Sequence, residues 1–113
     1  MQQMQNRVTL IGNLGSDIQI TTLATGQTVA RTSIATHDNH KKEDGTYEQI
    51  TQWHKLVVWG AKAEYMAKRL EKGSFVIVYG RLVHRAYDDK DGITRYISEI
   101  IVREFETPQK KTA

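Results

Sequence analysis

The chain has 113 residues, of which 39% are hydrophobic and 26% charged, a composition that suits one soluble domain with its own core. It contains no cysteine, which excludes a disulfide framework and a thiolate zinc site. The formal net charge of +3 permits an acidic partner without requiring one. The polar N-terminus lacks the apolar run of a signal peptide, and no stretch approaches the roughly 18 apolar residues of a membrane span. We therefore expect a cytoplasmic protein.

The first half of the chain predicts three strands. Residues 7–14 alternate in the rhythm of a first strand, with Gly12 and Gly15 marking a bulge or sharp bend, and residues 18–23 continue it. A turn at 24–26 leads into a second strand over 27–37. A polar loop over 38–48 precedes a third strand that ends at Gly60.

The second half predicts one helix and two further strands. Apolar residues at helical spacing indicate a helix over 61–72, with Gly73 at its C-terminal end. Strands follow over 74–85, with a kink at Gly80, and over 93–105, joined by a turn at 88–92. Five strands with a helix between the third and fourth are typical of an all-β OB-fold barrel, here over residues 1–106, followed by a short polar tail over 107–113.

The third strand carries both tryptophans of the protein on one face. Trp53, Lys55 and Trp59 alternate with Leu56 and Val58, which can supply the core side of the strand. This pattern leaves the indoles free for a ligand, although burial is the alternative because tryptophan is usually mostly buried. Flat rings with a cation between them suit an unpaired nucleic-acid strand, since every base has a π face and every linkage a negative charge.

Several segments resemble the bacterial single-stranded DNA-binding protein family in sequence and order. Residues 6–15 (NRVTLIGNLG) resemble its N-K/R-V-x-L-x-G-N-L-G opening, and residues 51–60 (TQWHKLVVWG) its T-E-W-H-x-x-V-x-F/W-G signature. Residues 70–74 and 79–82 resemble its L-x-K-G and E-G-x-L segments. The resemblance extends over about residues 6–105. It implies an OB-fold that binds and protects single-stranded DNA in replication, recombination and repair.

The same resemblance assigns roles to individual residues. Trp53, Trp59 and Tyr87 correspond to positions that stack on DNA bases. His40 stands where many members have a tryptophan, and an imidazole stacks over less area. His54 corresponds to a histidine at a subunit interface, and the resemblance implies a nucleoid-associated homotetramer.

Basic residues near the predicted aromatic positions form a candidate phosphate track, although each could also be an ordinary solvated charge. They are Arg7, Lys55, Lys72, Arg85 and Arg95. Lys41 and Lys42, beside His40, either contact DNA or only keep the loop soluble.

No motif for catalysis, a cofactor or a metal is found. The sequence lacks G-x-x-x-x-G-K-[ST] and G-x-G-x-x-G, and it has no cysteine nucleophile, so we expect no enzyme activity and no cofactor. The four histidines lack metal-ligand spacing. The acidic turn at 88–91 lacks the glutamate of a calcium loop, which favours a solvated turn and no metal site.

Two other functions are compatible with the same sequence. One is an adaptor like the related primosomal protein, which docks replication proteins and contacts DNA only secondarily. The other is an oligosaccharide-binding OB module, which uses aromatics but does not need the cations. Family members usually carry a long linker and an acidic tip that recruits replication and repair proteins. Residues 108–113 have neither feature, so we do not expect recruitment through such a tail.

Overall fold

A computed structural model of the protein describes residues 5–108. The elements in chain order are β1 (Val8–Leu14), β2 (Gln19–Thr22), β3 (Thr28–Lys41), β4 (Tyr47–Trp59), α1 (Ala61–Arg69), β5 (Phe75–Asp88) and β6 (Thr94–Glu106). Residues 1–4 of the polar N-terminus and residues 109–113 of the polar tail lie outside the described residues. No helix in the described part is long and apolar enough to cross a membrane.

Five long strands close into a barrel. Hydrogen bonding follows the order β1-β5-β6-β4-β3, and a pairing of β3 with the end of β1 closes the ring. All these pairs are antiparallel except β4 with β6, which is parallel. The predicted OB-fold barrel, with its helix between the third and fourth long strands, is confirmed. The segment expected to continue the first strand instead forms the separate strand β2, which pairs with β3 beside the end of β1.

Two glycines allow the strands to approach closely enough for closure. A Cβ atom on Gly12 would overlap the backbone carbonyl oxygen of Ala35, and one on Gly80 would overlap that of Ile101. The β5–β6 register also shifts between Tyr79 and Gly80, which places the predicted kink at a β-bulge. Glycine at both points is therefore a requirement of the closed barrel.

The core fills the inside of the barrel and is covered by α1. Ile34, Leu56 and Val58 are fully buried, and the helix adds Ala63 and Met66 to the same cluster. Burial of apolar surface at about 25 cal/mol per Å² makes this cluster the main stabilising element of the fold. The core also fixes which side of β4 faces inward, because Leu56 and Val58 must be buried in it.

The helix is shorter than predicted and three strands are longer. The helix ends at Arg69, not at residue 72, because Leu70 is extended (φ −122°, ψ 151°) and points its side chain into the core. The loop predicted over 38–48 is mostly strand, since β3 continues to Lys41 and β4 begins at Tyr47. This hairpin extends past the core and is exposed on both faces, so it lacks the apolar alternation by which strands are recognised. Strand β5 likewise runs to Asp88, past its predicted end at residue 85, where its side chains are again exposed on both faces.

Candidate nucleic-acid interface

The side chains of β4 divide into a core side and an outer side as the alternation predicts. Leu56 and Val58 are buried in the barrel, whereas Trp53 is 63% exposed and Trp59 40% exposed. The expectation that both indoles stay out of the core is confirmed. We call the side chains that alternate with the core residues on β3, β4, β5 and β6 the outer face. Val57 belongs to this face but is 2% exposed, flanked in register by β3 and β6.

Trp53 lies over a glycine that leaves space for it. Its six-membered ring occupies the position that a side chain on Gly15 would fill, next to the hydroxyl of Ser33. Trp53 is paired in register with Ala35, another small residue. The indole is thus supported by small groups while more than half of its surface remains exposed, an arrangement suited to stacking on a flat ligand.

Tyr87 joins the outer face from the β5–β6 hairpin. It is 44% exposed, and the guanidinium carbon of Arg85 lies 5.8 Å from the centre of its ring. Arg85 in turn bonds to Glu99, which is paired in register with Lys55 of β4. Because side chains alternate along each strand, Tyr87 lies on the same face as the tryptophans.

A buried carboxylate lies at the centre of the outer face. Glu99 is 4% exposed and accepts hydrogen bonds from Arg31 Nη1 at 3.1 Å and from Arg85 Nε and Nη2 at 2.9 and 3.3 Å. The hydrogen bond from Arg85 is the main cause of a lowered pKa for Glu99, with further lowering by the charges of both arginines. A groove of about 330 Å³ lies beside it, bordered by Arg31, Lys55 and Ile97.

The other predicted cations are distributed more widely. Arg95 pairs in register with Tyr87 and forms an ion pair of 2.9 Å with Asp89. Lys55 is exposed next to Trp53 on the outer face. Arg7 precedes β1, a strand that pairs with β5 but not with β4. Lys72 lies in the turn after α1, where its backbone N–H donates to Asp17. The register therefore brings three of the five predicted cations onto the outer face.

The β3–β4 hairpin separates residues that the sequence places side by side. Lys41 is paired with Tyr47, and both positions are in phase with Trp53. His40 is paired with Glu48 and falls on the opposite side of the hairpin. Lys42 lies 3.7 Å from the carboxylate of Glu48, across the turn.

Sequence reasoning missed three residues of the outer face. Tyr47 is 67% exposed and in phase with Trp53, a match that becomes visible once β4 is extended back to its observed start. Arg31 and Glu99 lie within strands and belong to none of the motifs in the sequence. No local pattern joins them, since they are 68 positions apart and meet only through the pairing of β3, β4 and β6.

His54 lies on the side of β4 that faces away from the tryptophans. It is half-buried, and its Nε2 lies 3.0 Å from the hydroxyl of Thr36. Its predicted place at a subunit interface is thus on a different surface from the outer face. A subunit contact at His54 would therefore leave the outer face accessible to a ligand.

The acidic turn is organised by its own hairpin. Asp89 Oδ1 accepts hydrogen bonds from the backbone N–H groups of Asp91 and Ile93, and Oδ2 pairs with Arg95. Residues 5–108 contain no group of three or more histidine or acidic side chains placed to hold a metal ion.

Comparison with known proteins identifies a family over almost the whole chain. The model of the single-strand binding protein family matches residues 5–108. A "Single-stranded DNA-binding protein 1" from Xylella fastidiosa is 40% identical over 107 residues, covering 94% of this chain and 79% of that protein. Another from Chlorobaculum tepidum is 37% identical, covering 89% of this chain and 63% of the relative. The single-stranded DNA-binding protein of Xanthomonas axonopodis pv. citri is 36% identical and is covered over 56% of its length. This chain thus spans less than two thirds of the last two relatives.

The fold has a close counterpart among solved structures. A structure described as Plasmodium falciparum SSB in complex with single-stranded DNA superposes with a TM-score of 0.85 at 28% sequence identity. The match covers 96% of this chain and 99% of that one.

Proposed function

Since the chain belongs to the single-strand binding protein family, we propose that it binds and protects single-stranded DNA with little sequence preference, in replication, recombination and repair. The observation that carries this proposal is the outer side of β4, where two exposed indoles flank an exposed lysine. Trp53 and Trp59 are six residues apart, which at about 3.3 Å per residue separates them by roughly 20 Å along the strand. One OB fold typically binds about 4–16 nucleotides, so several bases can lie along this path.

Base stacking supplies the sequence-tolerant part of the proposed binding. Trp53, Trp59 and Tyr87 offer exposed ring faces to successive bases, and Tyr47 extends the row toward the hairpin tip. We place His40 at the margin of the site because it falls on the other side of that hairpin. Every base has a π face, so stacking on these rings does not distinguish one base from another.

Phosphate contacts supply the electrostatic part. Lys55 and Arg85 lie among the aromatic rings, and we assign them the central contacts together with Arg31. Flanking contacts come from the remaining predicted cations, Arg7, Lys41, Lys42, Lys72 and Arg95. Neither phosphate contacts nor ring faces read base edges, so the proposed binding carries little sequence information.

The proposed activity is binding without catalysis, by a homotetramer in the nucleoid of the cytoplasm. A strand that follows several subunits gains affinity through effective concentration without any new type of contact. His54 is our candidate for a subunit interface, because its surface faces away from the indoles and leaves them accessible.

A fluorescence titration tests the proposed function. Both tryptophans lie on the proposed site, so saturation with oligothymidine should quench most of the intrinsic emission, while a neutral oligosaccharide should not. Raising the salt concentration should weaken binding, with a log K slope near −0.7 per phosphate contact for single strands. Unchanged emission together with no measurable affinity would refute the proposal. A slope near zero would remove the phosphate contacts from it.

A further inference from the structure

A buried negative charge at the centre of a surface that binds DNA needs a physical reason. Glu99 is 4% exposed and lies on the outer face, paired in register with Lys55. A carboxylate near phosphates is repulsive, and its burial costs free energy unless it is paired. Both arginines that pair with it come from other strands, Arg31 from β3 and Arg85 from β5.

We propose that Glu99 is a positioning residue, whose carboxylate holds the guanidinium groups of Arg31 and Arg85 side by side to receive the DNA backbone. The proposal rests on the proposed function and deepens it, because it places a phosphate-binding site at the centre of the outer face. It also explains how Arg31 is held in place for the phosphate contact proposed for it.

The geometry leaves most of the arginine donors available. A guanidinium carries five N–H donors, so the two groups have ten. Three hydrogen bonds connect them to Glu99, which leaves seven for other partners. The Arg31 and Arg85 side chains are 52% and 45% exposed, while that of Glu99 is 5% exposed. The carboxylate thus lies beneath two guanidinium groups that face solvent.

Holding the arginines in the free protein lowers the cost of binding. A long arginine side chain loses conformational entropy when a ligand immobilises it, and that loss reduces affinity. The Arg85 fork is fixed through both Nε and Nη2, and Arg31 is anchored through Nη1. Phosphate then meets donors whose positions are already set, between the tryptophans of β4 and the ring of Tyr87.

Two other roles for Glu99 make different predictions. If Glu99 only cancels positive charge, its neutralisation adds one net charge to the site and should tighten DNA binding and steepen the salt slope. If Glu99 only stabilises the packing of β3, β5 and β6 through its ion pairs, its replacement should lower the stability of the fold without changing the DNA affinity of the folded protein. Only the positioning role predicts that neutralising Glu99 weakens DNA binding by the folded protein, although the site has become more positive.

The decisive experiment compares Glu99→Gln with the parent, using the full chain and fluorescently labelled oligothymidine at two salt concentrations. The neutral amide keeps one acceptor oxygen and puts an NH₂ donor in place of the other, so it cannot accept all three arginine hydrogen bonds and holds the guanidinium groups less firmly. We expect binding at least about threefold weaker and a salt slope shallower by about 0.7, the contribution of one lost contact. In a background with Arg31→Gln and Arg85→Gln, the same change should no longer weaken binding, because no arginine is left to position. Equal or tighter binding by the folded Glu99→Gln protein would overturn the proposal.

A second variant keeps the test decisive if Glu99→Gln does not fold. Arg31→Lys retains the charge at a half-exposed position but lacks the planar fork, and should also weaken binding. Arg69→Lys on α1, where the guanidinium lies over Tyr65, is the matched control and should bind as the parent does. An Arg31→Lys protein that binds as tightly as this control would refute the positioning role. Failure of the parent itself to bind oligothymidine would instead overturn the proposed function, and this inference with it.

Discussion

Replacement of Trp53 by alanine is the sharpest test of the outer face. The indole is 63% exposed and rests over Gly15, so its removal leaves no cavity in the barrel core. We therefore expect stability to change by less than about 1 kcal/mol. The loss should appear in DNA binding, because stacking of one base on an aromatic ring is worth about 1–3 kcal/mol.

The expected loss of affinity follows from these energies. A free-energy change of about 1.4 kcal/mol is a tenfold change in the dissociation constant, so Trp53→Ala should weaken binding by roughly 5-fold to 150-fold. The high exposure of the free ring places the expected value in the middle of this range, near one decade or slightly above. Anisotropy of a labelled oligothymidine measures this directly and does not depend on the tryptophan that was removed.

A matched control is available on the same sheet. Tyr96 is 83% exposed but is in phase with the core residue Ile100, so it lies on the other side of the β5–β6 hairpin. Tyr96→Ala removes a similar exposed ring and should leave affinity within about twofold of the parent. The reasoning fails if folded Trp53→Ala, in the same oligomeric state, binds as tightly as the parent. It also fails if Tyr96→Ala causes an equal loss.

Three further predictions address the hairpin, the barrel and pH. Tyr47→Ala should weaken oligothymidine binding in the same anisotropy assay, by less than Trp53→Ala because Tyr47 lies near the hairpin tip, and unchanged affinity would exclude it from the site. Gly12→Ala should lower stability by about 1–3 kcal/mol in denaturant unfolding, since the new methyl group overlaps the carbonyl of Ala35, and an unaltered midpoint would contradict this view of closure. Pairing with the arginines lowers the pKa of Glu99 in the folded protein. This pairing therefore stabilises the fold fully at pH values above the ordinary pKa of 4.5, and the stabilisation is lost as the pH falls through the lowered pKa of the folded state. The melting temperatures of the parent and Glu99→Gln should therefore converge in acid, and a gap that persists there would disprove the linkage.

The sequence alone determined the barrel, the order of its five long strands and helix, and which side of β4 faces the core. Alternation from Gln52 to Trp59 was sufficient because one side of that strand is in the core, so the period of two residues appears directly in the apolar pattern. The same segment carries one of the four family motifs and favours exposure of both indoles, with burial as the alternative. These are local properties, carried by neighbouring residues.

Tertiary structure alone decided the composition of the outer face. Where the hairpins leave the core, no buried face imposes an apolar pattern, so the sequence predicts a loop where β4 begins at Tyr47. Arg31, Arg85 and Glu99 are separated by 14 to 68 positions, and only the register of the closed barrel brings their charged groups within about 3 Å. Such a cluster leaves no periodic signal in the chain, because its members are related through strand pairing and not through spacing.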